Sequence, residues 1–414
     1  MKGHMSKGIP VWKTRFDEKA PGVYREDAFG LPQTRLFMTG VPVFLGVRPR
    51  PLPLSPAGPK NVPRMLSLWS QFKYSFERPS EDSYLAYAIR GFFQNGGRRC
   101  YVMPLKDLSS QSVREGLNAV AALNMVDLVC VPELATLGDN AFELQQLVVA
   151  HCENTQQTVE TDYGVLLQTG DRFAILDPPL GADLDQVWRQ WWEINGHNGA
   201  IYYPWVRVLG FERGKTALVP PCGHVAGVYA RTDASRGVHK APANEALEGV
   251  LDLERHLTNA DQDKLNPKRV NCIRSFPGRG IRVWGARTLS GQPDWTYVNV
   301  RRLFLTAVRW MNWQMTDVAF EPNDARLWAR IERELNTYFI EQYRSGALKG
   351  RTPQEAFYVR CDAETNSPEM RDENRVVTEV GLAPTTPYEF VVVRFIHGAS
   401  GVSIEGPVVA EPTS

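Results

Sequence analysis

The chain has 414 residues, 43% of them hydrophobic and 22% charged, the composition of an ordinary globular protein long enough to bury a sizeable core in two or three domains. Lys and Arg number 47 against 46 Asp and Glu, a formal net charge of +1. That balance excludes nucleic-acid binding driven by overall charge, so any electrostatic partner has to be met by a local patch.

Residues 1–26 read as an arm. Its first twenty residues, MKGHMSKGIPVWKTRFDEKA, are polar and mildly basic, with no periodicity that would let them fold alone. They also lack the apolar centre of a signal peptide, so synthesis in the cytoplasm without a leader is expected. Pro21-Gly22 then opens an extended segment, Val23, Tyr24, Arg25 and Glu26.

A core domain is expected over 27–300. Residues 40–47, GVPVFLGV, read as a short buried strand bounded by Gly and Pro. The stretch 48–63, RPRPLPLSPAGPKNVP, holds too much Pro for a helix or a central strand and reads as a stiff surface linker. Residues 83–95 carry Tyr84, Tyr87, Ala88, Gly91 and Phe92 on one helical face, and Gly96-Gly97 ends that helix before a strand at 99–103. The alternation continues with helix 111–124, strand 126–131, helix 141–151, strand 172–176, helix 184–194 and strand 200–203, the pattern of a largely parallel sheet covered by helices. Residues 154–170 read as a polar surface loop.

The run 220–303 has strand-like apolar segments at 225–229 and 281–284 between turns of Gly, Pro, Asn and Arg, the texture of an assembly surface. A smaller α+β domain is expected over 301–395. Its helix, 325–345, has Asn323 or Asp324 as N-cap, Gly346 as stop, and an apolar stripe of Leu327, Trp328, Ile331, Leu335, Tyr338 and Phe339. Beta-like runs follow at 357–360, 376–380 and 390–395, and 396–414 reads as a flexible tail.

Motifs that carry chemistry are missing. Gly278-Arg-Gly280-Ile-Arg-Val-Trp-Gly285 is neither GxGxxG nor GxxxxGK[ST], so tight turning accounts for its glycines better than a phosphate does. Cys222 and His224 would share a face on a strand, yet no third ligand or orienting acid is suitably spaced, and a buried thiol beside a hydrogen-bonded histidine is the plainer reading. For Glu321 and Asp324, helix capping is a simpler account than paired acid and base. The six cysteines, Cys100, Cys130, Cys152, Cys222, Cys272 and Cys361, form no CxxC pair and read as reduced, mostly buried thiols. No metal, cofactor or catalytic constellation is expected, and no run approaches the ~18 apolar residues of a membrane span.

The wording of the chain closely resembles contractile tail sheath proteins of phage tails, tailocins and related injection systems. The resemblance is carried by Pro221, Gly223 to Asp233 (GHVAGVYARTD), Gly237-Val238, Lys240 to Asn244, Leu265-Asn266-Pro267, Val270 to Arg274, Pro277 to Gly280, Val283 to Thr288 and Tyr297 to Arg302, in that order. SYLAYAIRGFFQNGGRRCYV, DRFAILDPP and FEPND extend it in both directions. It implies a sheath-type α/β core, an α+β C-terminal domain, and arms at both ends.

As partners it implies other copies of the chain in a helical homo-oligomer of stacked, six-membered rings, an inner tube protein, and baseplate and cap proteins, with no nucleic acid and no membrane insertion. Strand exchange between subunits is expected through Val23, Tyr24, Arg25 and Glu26 at one end and Phe390, Val391, Val392, Val393 and Phe395 at the other. Arg279, Arg282 and Arg287 stand as candidates for carboxylates on neighbouring subunits. Arg301, Arg302 and Arg309 on one helix, and Arg326, Arg330, Arg333 and Arg344 on the next, stand as candidates for an acidic tube. An α/β enzyme for a phosphorylated ligand and a static helical shell remain as alternatives.

Overall fold

The computed structural model describes residues 38–47, 62–76, 78–153, 158–161, 164–167, 170–315, 321–373, 375–385, 391–398 and 401–408, with the backbone alone for 158–161, 164–167, 315, 391–398 and 401–408. Val23 to Glu26, most of the proline-rich linker and Phe390 lie outside these residues.

In chain order the first half holds β1 (Pro42–Gly46), β2 (Arg64–Leu66), α1 (Phe72–Ser75), α2 (Tyr84–Gln94), β3 (Cys100–Pro104), α3 (Ser110–Ala121), β4 (Leu128–Cys130), α4 (Ala141–Glu153), β5 (Thr158–Thr161), β6 (Gly164–Leu167), β7 (Phe173–Leu176), α5 (Leu184–Glu193) and β8 (Gly199–Tyr203). Next come β9 (Val206–Leu209), β10 (Thr216–Val219), α6 (Cys222–Arg236), β11 (Glu245–Ala246), β12 (Val250–Leu253), α7 (Asn259–Leu265), β13 (Val270–Phe276) and β14 (Gly280–Trp284). The C-terminal part holds α8 (Val298–Met315), α9 (Ala325–Arg344), α10 (Pro353–Ala356), β15 (Phe357–Arg360), α11 (Pro368–Asp372), β16 (Val376–Leu382), β17 (Val391–Gly398) and β18 (Gly401–Val408).

Nine strands form the central sheet in the order β11-β14-β13-β8-β7-β4-β1-β3-β2. From β13 to β3 the neighbours run parallel, and β2, β14 and β11 add antiparallel edges. Parallel strands need crossovers, and the helices that supply them cover both faces. Side chains therefore alternate between two cores. Phe44, Leu128, Cys130, Phe173, Ile175 and Tyr202 enter one core with α2 and α6, whereas Val43, Leu45, Val129, Ala174, Leu176 and Ile201 enter the other with α3 and α4.

Two short elements stand beside this frame. A small antiparallel sheet, β10-β9-β12, packs into the first core, and β5 and β6 pair within the stretch expected to be a loop.

The segment at 225–229 is a helix, not a strand. Every residue of α6 from Cys222 to Ala230 is buried, so its apolar character has no period to betray it, and a short apolar run does not distinguish a buried helix from a strand. Glycines let it sit close to α2. A Cβ on Gly223 would fall 2.2 Å from the Ala88 carbonyl oxygen, and one on Gly227 would fall 2.6 Å from that of Phe92.

The C-terminal part has its own core, in which the expected stripe of α9 packs on Phe357, Val359, Val380 and Leu382. Asp324 caps α9, its Oδ1 accepting from the backbone N–H of Arg326 at 2.8 Å, and Gly346 ends it with φ +82°. Behind α9 the sheet order is β15-β16-β17-β18, antiparallel throughout. Two expectations change here. The last expected strand runs on to Gly398, and the supposed tail turns back as β18, because an eight-residue strand left unpaired would expose a row of backbone donors and acceptors. Within one chain β17 is thus paired on both sides. The boundary expected at 300 also falls inside α8, which gives Val298 and Leu305 to the sheet core and Phe304 and Val308 to the C-terminal core.

A test of the helix pair follows from the glycine contact. Gly227→Val pushes two methyl groups against backbone that has no room to move, and overpacking of this kind costs about 1–3 kcal/mol. Thermal denaturation is expected to show a midpoint lowered by several degrees, with Gly291→Val, where an added Cβ meets nothing within 4 Å and φ is not positive, as a control for substitution as such.

Candidate assembly interface

Charged side chains divide into those sealed inside and those left outward. Asp127, 6% exposed at the start of β4, accepts the backbone N–H groups of Gly40 at 2.9 Å and Val41 at 2.6 Å and a guanidinium N–H of Arg302 at 3.0 Å. Arg302 also grips Asp233 of α6 in bidentate fashion, at 2.9 and 2.6 Å, and lies 4.8 Å from the centre of the Tyr229 ring. Burial works against the Arg302 charge, but the two carboxylates reverse that and raise its pKa. Burial pushes Asp233 upward, while the guanidinium pulls it back. Arg302 is thus shared between the side chains of Asp127 and Asp233.

The other arginines of α8 are also internal. Arg309 donates to the Asn124 carbonyl at 3.0 Å and lies 3.7 Å from Asp171. Arg301 donates to Asn198 Oδ1 at 2.6 Å over the face of Trp295, and burial lowers its pKa to about 10. Arg301, Arg302 and Arg309 therefore do not face a tube, because their hydrogen bonds are made within the subunit. The spacing held the signal: 298, 302, 305 and 309 fall on one side of a helix, and Val298 and Leu305 mark that side as core. Asp127 belongs to no local motif, and Asp233, though it ends the phrase GHVAGVYARTD, carries no sign there of a partner 69 residues away.

Helix α9 presents the opposite face. Arg326, Arg333 and Arg344 are exposed and share one side of the helix, away from its apolar stripe, and none has an ion pair or hydrogen bond from its side chain to another described residue. Arg330 lies on the same side but is held by Glu321 and, at 3.0 Å, by Glu334. Arg279 and Arg282 clasp Asn244, a residue at φ +60°, and Arg287 donates to the Asn266 carbonyl at 3.0 Å, so each spends part of its guanidinium on its own chain.

Cys222 and His224 lie two apart on a helix and so point to different sides. His224 is buried, its ring against Gly91, with no hydrogen bond to either nitrogen among the described residues, which differs from the bonded histidine expected. Burial, with Arg90 nearby, lowers its pKa to about 3. All six cysteines are buried and unbridged. Among the described residues no group of three or more His, Cys, Asp or Glu is placed to hold a metal ion, and no helix is long and apolar enough to cross a membrane. An open cleft of about 650 Å³ is lined in part by Trp191, Trp192, Glu153 and His197, but Glu153 accepts the backbone N–H of Asn198 at 2.8 Å and His197 Nδ1 bonds Ser290 Oγ at 2.7 Å.

Comparison with known proteins decides the family. Residues 114–289 match the phage tail sheath protein central domain, and residues 290–396 match the phage tail sheath C-terminal domain. This chain belongs to the phage tail sheath family. Among solved structures, the anti-feeding prophage helical sheath in its contracted state is 30% identical, with 90% of this chain and 98% of that chain covered and a TM-score of 0.66. The sheath complex of the extracellular contractile injection system PVC, also contracted, is 26% identical, covers 90% and 96%, and has a TM-score of 0.68. A prophage major tail sheath protein of Pseudomonas aeruginosa (strain UCBPP-PA14) is 26% identical over 61% of this chain and 65% of its own length, and the tail sheath protein of Enterobacteria phage T4 is 24% identical over 45% and 28%. The chain thus spans less than two thirds of the length of the curated relatives it matches.

In this sheath protein the junction of the two matched domains lies just ahead of α8, the helix that Arg302 bolts to the core. Removing that bolt strands two buried carboxylates, a loss of about 3–5 kcal/mol. Arg302→Met is expected to lower the thermal midpoint sharply, with Arg302→Lys falling between the two. A second test concerns acid. His224 is neutral in the folded chain down to about pH 3 while the unfolded chain protonates it near 6.5, so its contribution to stability falls as pH drops below 6.5, by about 1.4 kcal/mol per pH unit. Asp177, raised to about 7 by burial, acts in the opposite sense between pH 7 and 4. The measurement is therefore the difference between parent and His224→Leu in denaturant midpoint across pH 7 to 4, and the variant is expected to gain on the parent as pH falls.

Proposed function

We propose that this chain is a structural subunit of a contractile sheath, polymerising helically around an inner tube and shortening to drive the tube through a target envelope. The observation that carries the reading is the near full-length likeness to the anti-feeding prophage sheath. Stacked six-membered rings, a tube, a baseplate and a terminal cap would be its partners in a phage tail or tail-like particle, and no catalysis is needed.

The tube-facing surface is assigned to α9. Arg326, Arg333 and Arg344 are free to meet an acidic tube, whereas the arginines of α8 are committed inside. Exposed charge pairs contribute about 0.2–1 kcal/mol each, weak enough to release one by one and additive over many copies. A large apolar patch would not let go.

Strand exchange is assigned to the C-terminal sheet and the arm segment Val23 to Glu26. In one chain β17, with Val391, Val392, Val393 and Phe395, sits between β16 and β18, so β18 and β15 are the edges a neighbour can use or replace. About six backbone hydrogen bonds at ~1 kcal/mol each are largely cancelled by ordering six residues at ~1–2 kcal/mol each. Buried side chains at roughly 1.5–3 kcal/mol each have to tip the balance, and Val23 and Tyr24 are the apolar side chains this arm segment can contribute.

Negative-stain microscopy of the purified chain is expected to show long cylinders that convert to a shorter, wider form. Deleting residues 1–26, or ending the chain after Gly398, is expected to leave a folded subunit by circular dichroism that forms no long sheath; sheaths of normal length would refute the exchange. Glu at positions 326, 333 and 344 is expected to spare sheath formation while abolishing assembly on an acidic tube. A single lattice that never shortens would mark a static shell instead.

A further inference from the structure

An asparagine followed by glycine is chemically labile where two conditions hold. The glycine nitrogen has to reach the asparagine Cγ, an approach that a residue without a Cβ leaves unhindered, and the side-chain amide has to be free to turn towards it. The dipeptide occurs three times in this chain, at Asn95-Gly96, Asn195-Gly196 and Asn198-Gly199. The fold treats the three differently.

Asn95 and Asn198 are buried, and each side chain is held at both ends. Asn95 Nδ2 donates to the carbonyls of Gly91 at 2.9 Å and Glu248 at 3.0 Å, its Oδ1 accepts the N–H of Glu248 at 2.8 Å, and the N–H of Gly96 is spent on the Phe93 carbonyl at 3.3 Å. Asn198 Nδ2 donates to the carbonyls of Cys152 at 2.9 Å and Gly170 at 3.2 Å, and its Oδ1 accepts from Arg301 at 2.6 Å. Asn195, in the turn between α5 and β8, is exposed, and neither its side-chain amide nor the N–H of Gly196 has a hydrogen bond to another described residue. Its backbone alone is held: Gln146 of α4 accepts its N–H at 2.8 Å and donates to its carbonyl at 3.0 Å. That second bond draws electron density from the Asn195-Gly196 peptide and makes the Gly196 N–H a readier acid.

We propose that Asn195 is a modification site, at which the subunit deamidates through a succinimide and so loosens the turn into β8. The Gly196 nitrogen gives its proton to water and attacks Asn195 Cγ; the new N–Cγ bond closes the ring, and Nδ2 leaves with a proton as ammonia. Water then opens the ring, leaving aspartate where it adds at Cγ and isoaspartate where it adds at the main-chain carbonyl carbon. The sum is one water taken up and one ammonia released. Either product puts a new carboxylate near Glu153, whose Oε1 lies 2.7 Å from where a Cβ on Gly196 would stand. Isoaspartate also lengthens the backbone by a methylene, so that Gln146 can no longer meet the N–H and the carbonyl of one residue together. The age of a subunit is thereby written into this turn, whatever the chain assembles into.

The test keeps the full chain for days at neutral and at mildly alkaline pH, its fold checked by circular dichroism, beside a sample held in denaturant, and maps acid digests of both by mass spectrometry. Conversion is expected at Asn195, and faster at the higher pH, because the attacking group is the deprotonated amide. Asn95 and Asn198 have to give up their hydrogen bonds first, and since a tenfold change in rate corresponds to about one such bond, they are expected to lag by at least about tenfold. In denaturant the three sites are expected to react at similar rates. Asn195→Gln, whose longer side chain closes a ring far more slowly, is expected to lack the acidic form that ion exchange separates from the aged parent. The isoaspartate fraction is expected to melt below both the parent and Asn195→Asp. Asn195 as inert as the other two in the folded chain, equal reaction at all three there, or the same ranking in denaturant would each overturn the proposed site, and an isoaspartate fraction that melts with Asn195→Asp would overturn its effect on the turn.

Discussion

A carboxylate taken out of water is tolerated only where donors surround it, and this subunit uses that demand to close the gaps around its central sheet. Asp127 gathers the N–H groups that lead into β1; Glu133 gathers those at the other end of β1 and at the start of α2. Asp177, at the end of β7, accepts the N–H of Cys222 at 2.8 Å where α6 begins, and Glu153 holds the turn ahead of β8 through Asn198. Each joins segments far apart in sequence. Hydrophobic packing makes the sheet, but these acids fix where its connections enter and leave.

Rigidity of that kind bears on a contracting polymer. With Arg302 between Asp127 and Asp233, the entry to β1, helix α6 and helix α8 are tied at one point, and α8 serves two cores at once. A buried ion set gives little net stability over apolar packing, yet breaking it is costly, so it resists partial rearrangement more than it adds to the total. The proposed shortening would then fall to contacts between subunits, where two arrangements can differ by little per copy and by much per cylinder.

Much of this was legible beforehand. The alternation of helix and strand from 83 to 203 gave the parallel sheet, because crossovers leave periodic apolar faces, and the stripe and N-cap of α9 stood in plain sight. The misses share a cause. Helix α6 is buried on every side from Cys222 to Ala230 and offers no period; β18, GVSIEGPV, alternates apolar and polar residues only over Val402 to Ile404 before Gly406 and Pro407 interrupt it, too short a strand signal to stand out. Asp127, Glu133 and Asp233 act across separations of 48 to 175 residues, which no local pattern reveals.

The same residue type plays contrary parts on adjacent helices, and the helix face decides which. On α8, arginines share their side with Val298 and Leu305, so folding has to supply each with an acid or a carbonyl before the helix can pack. On α9, Arg326, Arg333 and Arg344 lie opposite Leu335 and Phe339, exposed to water, the side offered to the proposed partner. Pairing with a partner then exchanges one high-dielectric setting for another, a small and salt-sensitive gain that is readily reversed. In the proposed assembly, locking a subunit and letting it slide would use one chemistry, separated by which face of the helix carries the charge and by whether that charge had to be buried.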